Sequence, residues 1–196
     1  MKNKGRLFIV AAPSGAGKTS VVTNVISKLK QTIPIERVIT LTTRPKRPGE
    51  VNSIDYYFLS EEEFLKKQNE NYFIETTKYN GYYYGSPKSI IQDMKNGKSF
   101  ILITDTAGAN NFKKNIVQDA ITIWITVPDV HELRKRLEKR HTDSPEVVEK
   151  RLQIARHEIE RETKEKNFNY HVQNNNIEDA VADLIKIIKQ NLKIKS

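Results

Sequence analysis

Ala12-Pro13-Ser14-Gly15-Ala16-Gly17-Lys18-Thr19 carries the most explicit chemistry in this chain. Small residues and two glycines let consecutive backbone N–H groups turn inward onto phosphate oxygens. A lysine followed by a hydroxyl residue then suits a nucleoside triphosphate: Lys18 reaches the β- and γ-phosphates, and the Thr19 hydroxyl can ligate Mg²⁺. Ala12 stands where such a loop ordinarily opens on glycine. Position 12 is therefore expected to keep a negative φ or to alter the loop slightly, while Gly15 and Gly17 remain where the backbone must approach the ligand. The loop implies a bound triphosphate and is silent on what receives the phosphate.

A second constellation runs Thr40-Leu41-Thr42-Thr43-Arg44-Pro45-Lys46-Arg47-Pro48-Gly49-Glu50. Arg44 and Arg47 are three residues apart on a chain stiffened by Pro45 and Pro48. Paired, preformed guanidinium forks make a clamp for a phosphate dianion. Asp55-Tyr56-Tyr57-Phe58 and Gly81-Tyr82-Tyr83-Tyr84-Gly85-Ser86 add hydroxyls that can also donate to phosphate. Taken alone, these residues equally allow a basic turn beside a small aromatic core. The arginine distribution adds weight to the clamp. The net charge is +9, and much of it is a lysine-rich solvated surface. The arginines other than Arg6 fall into two stretches, 37–47 and 134–161. That points to two places where phosphate is gripped.

The elements that must hold these groups follow from the hydrophobic pattern. Leu7 to Ala11 is an uninterrupted apolar run of strand length, as in a buried parallel strand. Val21, Val22, Val25, Ile26 and Leu29 have helical spacing directly after the loop. Residues 35–87 read differently, with aromatics, short alternating stretches, a capping box at Ser60 and a strand over Phe73 to Tyr79. Gly81 to Gly85 reads as a tyrosine-rich turn. From Pro87 onward strands and helices alternate again: a helix over Ser89 to Lys95, strands at Phe100 to Ile103 and Ala120 to Val127, and helices from Asp129 to about Arg140 and from Ser144-Pro145 to about Asn167. A short strand at Tyr170 to Val172 and an amphipathic helix over Ile177 to Leu192 complete the chain. This rhythm predicts a parallel sheet with helices on both faces. Trp124 is expected in the core. The four histidines lack metal-ligand spacing, and His157 and Glu158 have no evident chemical role.

Composition excludes several classes. The 196 residues suit one domain or one core with a small insertion. No apolar run approaches the length needed to span a bilayer. The basic start is followed by an apolar run, Leu7 to Ala12, too short for a secretory signal. There is no cysteine, which excludes disulfides, thiolate zinc sites and cysteine nucleophiles and fits a reducing cytoplasm.

Taken together, the phosphate loop, T-T-R-P-K-R-P-G-E, D-Y-Y-F, F-I-E, G-Y-Y-Y-G-S-P, R-L-E-K-R-H-T-D-S and the arginine helix from Arg151 closely resemble guanylate kinase, over nearly the whole chain from about Gly5 to Lys189. The resemblance implies an α/β fold: a three-layer P-loop NTPase core with a parallel sheet, a small mixed β-rich acceptor-binding insertion and a helical lid. It divides the single domain 1–196 into a core (1–34, 88–131 and 166–196), an acceptor-binding segment (35–87) and a lid (132–165). The implied activity is Mg-assisted, in-line transfer of the ATP γ-phosphoryl group to GMP or dGMP in the cytoplasm. Residues 12–19, Ala12, Pro13, Ser14, Gly15, Ala16, Gly17, Lys18 and Thr19, would bind ATP, with Asn174 near its base and Thr19 on Mg²⁺. Arg44 and Arg47 would hold the GMP phosphate, helped by Tyr56 and Tyr84. Glu75 would accept from the guanine N1–H and amino group, with Thr40 and Ser86 beside the base. Arg140 and Arg151 match lid arginines, and Lys18, Arg44, Arg140 and Arg151 are the candidate catalytic residues. His141 stands where the family's lid has glycine.

One departure bears on the acceptor. The family reads acid-x-Asp near the end of the strand that follows the acceptor segment, and this chain reads Ile103-Thr104-Asp105. Asp105 remains as a candidate GMP-site residue, and Ile103 replaces the first acid. The expectation is weaker GMP binding or relaxed base choice, so a kinase of the same group with a shifted acceptor is the nearest alternative. A non-catalytic guanylate-kinase-like binding module is less favoured because Gly15, Gly17, Lys18 and Thr19 are all present. No specific nucleic-acid partner and no membrane are expected, and a homo-oligomer stays open.

Overall fold

The computed structural model describes residues 4–79, 81–112, 116–139 and 144–194. Its elements are, in chain order, β1 (Leu7–Ala11), α1 (Lys18–Leu29), β2 (Ile35–Arg37), β3 (Leu41–Thr42), β4 (Tyr57–Phe58), α2 (Glu61–Asn69), β5 (Phe73–Tyr79), β6 (Tyr82–Pro87), α3 (Ser89–Lys95), β7 (Ser99–Ile103), α4 (Thr106–Asn111), β8 (Ile121–Thr126), α5 (Val130–Glu138), α6 (Pro145–Glu165), β9 (Tyr170–Gln173) and α7 (Ile177–Asn191).

Five strands form an all-parallel sheet in the order β2-β7-β1-β8-β9. Alternation along each strand sends side chains to two faces. Phe8, Val10, Ile101, Ile103, Ile123 and Ile125 meet the apolar stripes of α1, α5, α6 and α7. Leu7, Ile9, Phe100, Leu102 and Trp124 meet Ile90 and Met94 of α3, Ala109 of α4, and Phe112 and Phe168. Both faces are therefore covered, which is why β1, β7 and β8 are nearly continuous apolar runs. Trp124 lies in the core as expected, with its ring 5.3 Å from that of Phe168.

A second sheet, in the order β4-β3-β6-β5, mixes parallel and antiparallel pairs. Phe64 of α2 stacks on Phe73 and Tyr83 to give this sheet its own small core. The capping box expected at Ser60 is formed with Glu63. Three details differ from the sequence reading. β2 (Ile35–Arg37) pairs with β7 in the larger sheet, so the smaller sheet opens at Leu41 and not at residue 35. The tyrosines of 82–84 lie in a strand paired with β5, and among the described residues the turn is left to Gly81, at φ 84°. Helix α4 was not anticipated because it is short and polar. Asp105 starts it by accepting the Gly108 N–H at 2.7 Å. Among the described residues no helix is long and apolar enough to cross a membrane.

Candidate active site

The carboxyl ends of β1 and β7 open into one cleft, the usual place for a ligand in an open α/β sheet. β1 hands the chain to the phosphate loop, which turns into α1. Gly15 and Gly17 hold φ of 91° and 90°, and Ala12 is not among the positive-φ residues, as the sequence suggested. A Cβ on Gly17 would sit 2.6 Å from Asn174 Nδ2, so side-chain approach as well as backbone freedom requires glycine there. The Asn174 amide donates to the Ala16 carbonyl at 2.8 Å and braces the loop from β9's end. Lys18 Nζ donates to the Ala12 carbonyl at 2.7 Å, which lays the ammonium across the loop mouth.

The opposite wall comes from the second sheet. Arg44 is largely buried, donating to Glu50 Oε1 at 2.7 Å and to the Pro45 carbonyl at 2.7 Å. The other Glu50 oxygen accepts the Arg47 N–H at 2.8 Å. Glu50, to which sequence reasoning gave no role, thus ties the two arginines together. Burial opposes its charge, yet Arg44 and Arg47 hold its carboxyl below the usual range. Arg47 is pushed down by burial and by the positive Arg44 and Arg151. Three guanidinium groups and the Lys18 ammonium therefore face one cleft, an arrangement that favours a polyanion. The ring centroids of Tyr56 and Tyr84 lie 6.2 Å apart beside Arg44, and burial raises the Tyr84 phenol. The Tyr84 phenol is thus available as a neutral donor.

Behind the arginines the cleft changes character. Glu75 pairs with Ser86 across β5 and β6 and is buried, as are Ser86 and Thr40. Burial and the neighbouring Asp105 push the Glu75 carboxyl up to about 7. Ile103 lines the same wall, so apolar carbon stands where the expected first acid would be. Thr77, Tyr79 and Thr104 also line the cleft and were not singled out in the sequence. The positions of Thr77 and Tyr79 depend on the β5–β6 pairing, which no spacing rule reveals. Glu158, given no role, reaches inward from α6 and accepts the Thr106 hydroxyl at 3.2 Å. Burial raises its carboxyl while Lys18 opposes that shift.

Helix α6 also brings Arg151 into the cleft, where its Nε donates to Ser14 Oγ at 2.9 Å. Arg140 lies outside the described residues. Asn174 lines a neighbouring hollow with Gly15, Ser20 and Arg136. Arg136, another residue missed from sequence, bonds the carbonyls of Asn174 and Ala16. The main cleft thus gathers Ala12, Ser14, Gly15, Gly17, Lys18, Thr19 and Arg151 on one side. Thr40, Arg44, Arg47, Tyr56, Glu75, Tyr84, Ser86 and Asp105 line the other. Pro13 and Ala16 do not line it; within the loop the Ala16 N–H donates to the Pro13 carbonyl at 3.2 Å.

A family model described as guanylate kinase matches residues 4–191. A guanylate kinase of Hydrogenovibrio crunogenus is 39% identical over 188 residues, covering 95% of this chain and 88% of the relative. One of Shewanella violacea is 40% identical over 192 residues, covering 96% and 89%. The crystal structure of guanylate kinase from Anaplasma phagocytophilum matches with a TM-score of 0.79 at 27% identity, covering 100% of this chain and 89% of that one.

Proposed function

Because the chain belongs to the guanylate kinase family, we propose that this cleft transfers the γ-phosphoryl group of ATP to GMP or dGMP, giving ADP and GDP. The observation that carries the reading is the facing of two cationic walls across one cleft, Lys18 and Arg151 on one side and Arg44 and Arg47 on the other. The family relationship lends nothing to a shifted acceptor, a non-catalytic module or a nucleic-acid binder.

Each step follows from the charges. The triphosphate lies against the backbone N–H groups of residues 12–19 at the start of α1, where the helix adds partial positive charge. Lys18 leaves the Ala12 carbonyl for the β- and γ-phosphates. Asn174 and the neighbouring hollow take the adenine end. Arg44 and Arg47 seat the acceptor phosphate, with Tyr56 and Tyr84 donating to it. A phosphate monoester loses its second proton near pH 6, so the nucleophile is already ionised and no general base is required. Catalysis is then positioning and charge neutralisation, with Arg151 and Arg140 on the moving group. Water must be kept out, or ATP is hydrolysed. Closure of the acceptor segment and the lid, roughly 35–87 and 132–165, supplies that exclusion.

The donor set suits Mg²⁺. Thr19 offers a hard hydroxyl oxygen at the loop, and among the described residues no cluster of three or more His, Cys, Asp or Glu could cage a metal alone. That matches an ion held mainly by substrate phosphates and water, with Thr19 as protein ligand. When bound, the ion supplies charge neutralisation on the phosphates.

Glu75 reads the guanine edge, accepting from N1–H and the amino group, with Thr40 and Ser86 beside it. Donors bonded to the carboxylate favour its charged form. Binding GMP therefore displaces the proton that Glu75 carries below about pH 7. Affinity for GMP is complete above that pH and falls roughly tenfold per unit below it. The GMP phosphate adds its own slope nearer pH 6. Glu75→Gln separates the two: it weakens GMP and leaves only the phosphate slope. A Michaelis constant for GMP that is flat from pH 8 to pH 6 in the native enzyme would contradict this assignment. The function itself is tested by coupled ADP release with GMP, dGMP, IMP and AMP. GMP and dGMP should turn over fastest, and equal rates with AMP would overturn guanine recognition by Glu75.

A further inference from the structure

Arg37 is the last residue of β2, on the edge of the larger sheet, yet its side chain serves the smaller one. Its side chain is 11% exposed. Nη2 donates to the Asp55 carbonyl at 2.7 Å, and Nη1 lies 3.8 Å from Asp55 Oδ1. The second Asp55 oxygen accepts the Val51 N–H at 2.7 Å, and the Asp55 N–H returns to the Val51 carbonyl at 2.9 Å. The Ser53 N–H donates to the Tyr56 carbonyl at 2.8 Å. The turn that delivers Tyr56 is thus closed on itself and moored to the core sheet through one arginine. Beyond the mooring, the Arg37 guanidinium carbon sits 5.6 Å from the Tyr56 ring centroid, and that of Arg44 sits 5.3 Å from the same centroid. Two cations lie near the electron-rich ring of Tyr56, a residue that lines the cleft.

We propose that Arg37 is a positioning residue for the acceptor phosphate, setting the Tyr56 hydroxyl from the core sheet through Asp55 and the Tyr56 ring. The proposal rests on the reading above that Tyr56 and Arg44 hold the GMP phosphate. A purely structural role fits the surroundings poorly. Arg37 Nε is buried with no hydrogen-bond partner among the described residues. An arginine with one donor buried unpaired carries a desolvation cost that a structural tie alone does not require, and Arg37→Met, which leaves Asp55 without its cation, also costs some stability. What an apolar chain does not supply is a hydrogen bond to the Tyr56-bearing turn together with a cation on its ring.

The experiment measures GMP and ATP kinetics, inhibition by guanosine and melting temperature for Arg37→Met, Arg37→Lys, Tyr56→Phe, Arg44→Met and the double variant Arg37→Met with Tyr56→Phe. Arg37→Met should raise the Michaelis constant for GMP about tenfold, the size of one lost hydrogen bond to a charged group. The turnover number, the Michaelis constant for ATP and guanosine inhibition should stay within about twofold, since guanosine has no phosphate to misplace. Arg37→Lys keeps charge without the fork and should fall between. The double variant should match Tyr56→Phe alone, because the group being set is then absent. Additive effects, or equal weakening of GMP and guanosine, would overturn the proposal. If Arg37→Met unfolds the chain, the same split between GMP and guanosine in Arg37→Lys decides it. Should Tyr56→Phe and Arg44→Met leave GMP untouched, the acceptor-site reading fails, an outcome distinct from an inert Arg37 beside sensitive Tyr56 and Arg44.

Discussion

Lys18→Met lowers the turnover number by about a hundred- to a thousandfold, the loss found when one preorganised donor to developing charge is removed. The reason lies in where the ammonium sits. Lys18 Nζ is held at the mouth of the phosphate loop by the Ala12 carbonyl, with Arg151 bonded to Ser14 on the same wall. It is pre-placed, so little reorganisation is needed when phosphate arrives. Methionine keeps the length and the apolar stem and removes the charge. Stability should change far less than turnover, since the bond to the Ala12 carbonyl lies only partly buried at the cleft. Steady-state kinetics with GMP saturating would show the fall in turnover. A variant retaining more than about a tenth of native turnover would mean that the loop backbone and the arginines suffice without the lysine.

Arg44→Met raises the Michaelis constant for GMP about a hundredfold and destabilises the fold as well. Two losses coincide. The acceptor phosphate loses one side of its clamp, and Glu50 is left partly buried with its strongest partner gone. Breaking a buried pair costs about 3–5 kcal/mol, and the partial exposure of Glu50 brings the expectation nearer to about 2–3 kcal/mol. The sign with pH follows from Glu50, whose folded-state pKa is lowered. Its contribution is present above its ordinary pKa and is lost as pH falls through the lowered value. The stability gap between native and variant therefore narrows on acidification. Melting curves at pH 7.5 and pH 4 check this; a gap that widens at pH 4 would show that Glu50 is not held by Arg44. The Michaelis constant for ATP should move far less than that for GMP.

Much of this architecture is legible in the residues because local signals agree. β1, the phosphate loop and α1 follow from an apolar run, a glycine-rich turn and helical spacing, and Ser144-Pro145 starts α6 where the pattern says. The acceptor half is harder to read. Its short strands are defined by partners far away in the chain, so the tyrosines of β6 looked like a turn until β5 paired with them. The same cause hid Thr77 and Tyr79. α4 depends on one cap, Asp105, on a segment with almost no apolar periodicity. Arg44 and Arg47 stood out by spacing, but Glu50, which ties them, and Arg37, which reaches across from another sheet, act through contacts that sequence distance conceals. Glu158 has no evident chemical role in the sequence, yet the helical turn of α6 carries it inward to Thr106.

The account requires that donor and acceptor phosphates meet between Lys18 and the Arg44–Arg47 pair. A crystal structure with a bisubstrate molecule, adenosine and guanosine joined through a chain of phosphates, measures this directly. It should place one stretch of the chain on the N–H groups of Gly15 to Thr19 with Lys18 turned off the Ala12 carbonyl, and the guanosine-side phosphate within hydrogen-bond reach of both arginines, with guanine against Glu75. Guanosine bound elsewhere, with Arg44 and Arg47 making no contact to phosphate, would contradict it.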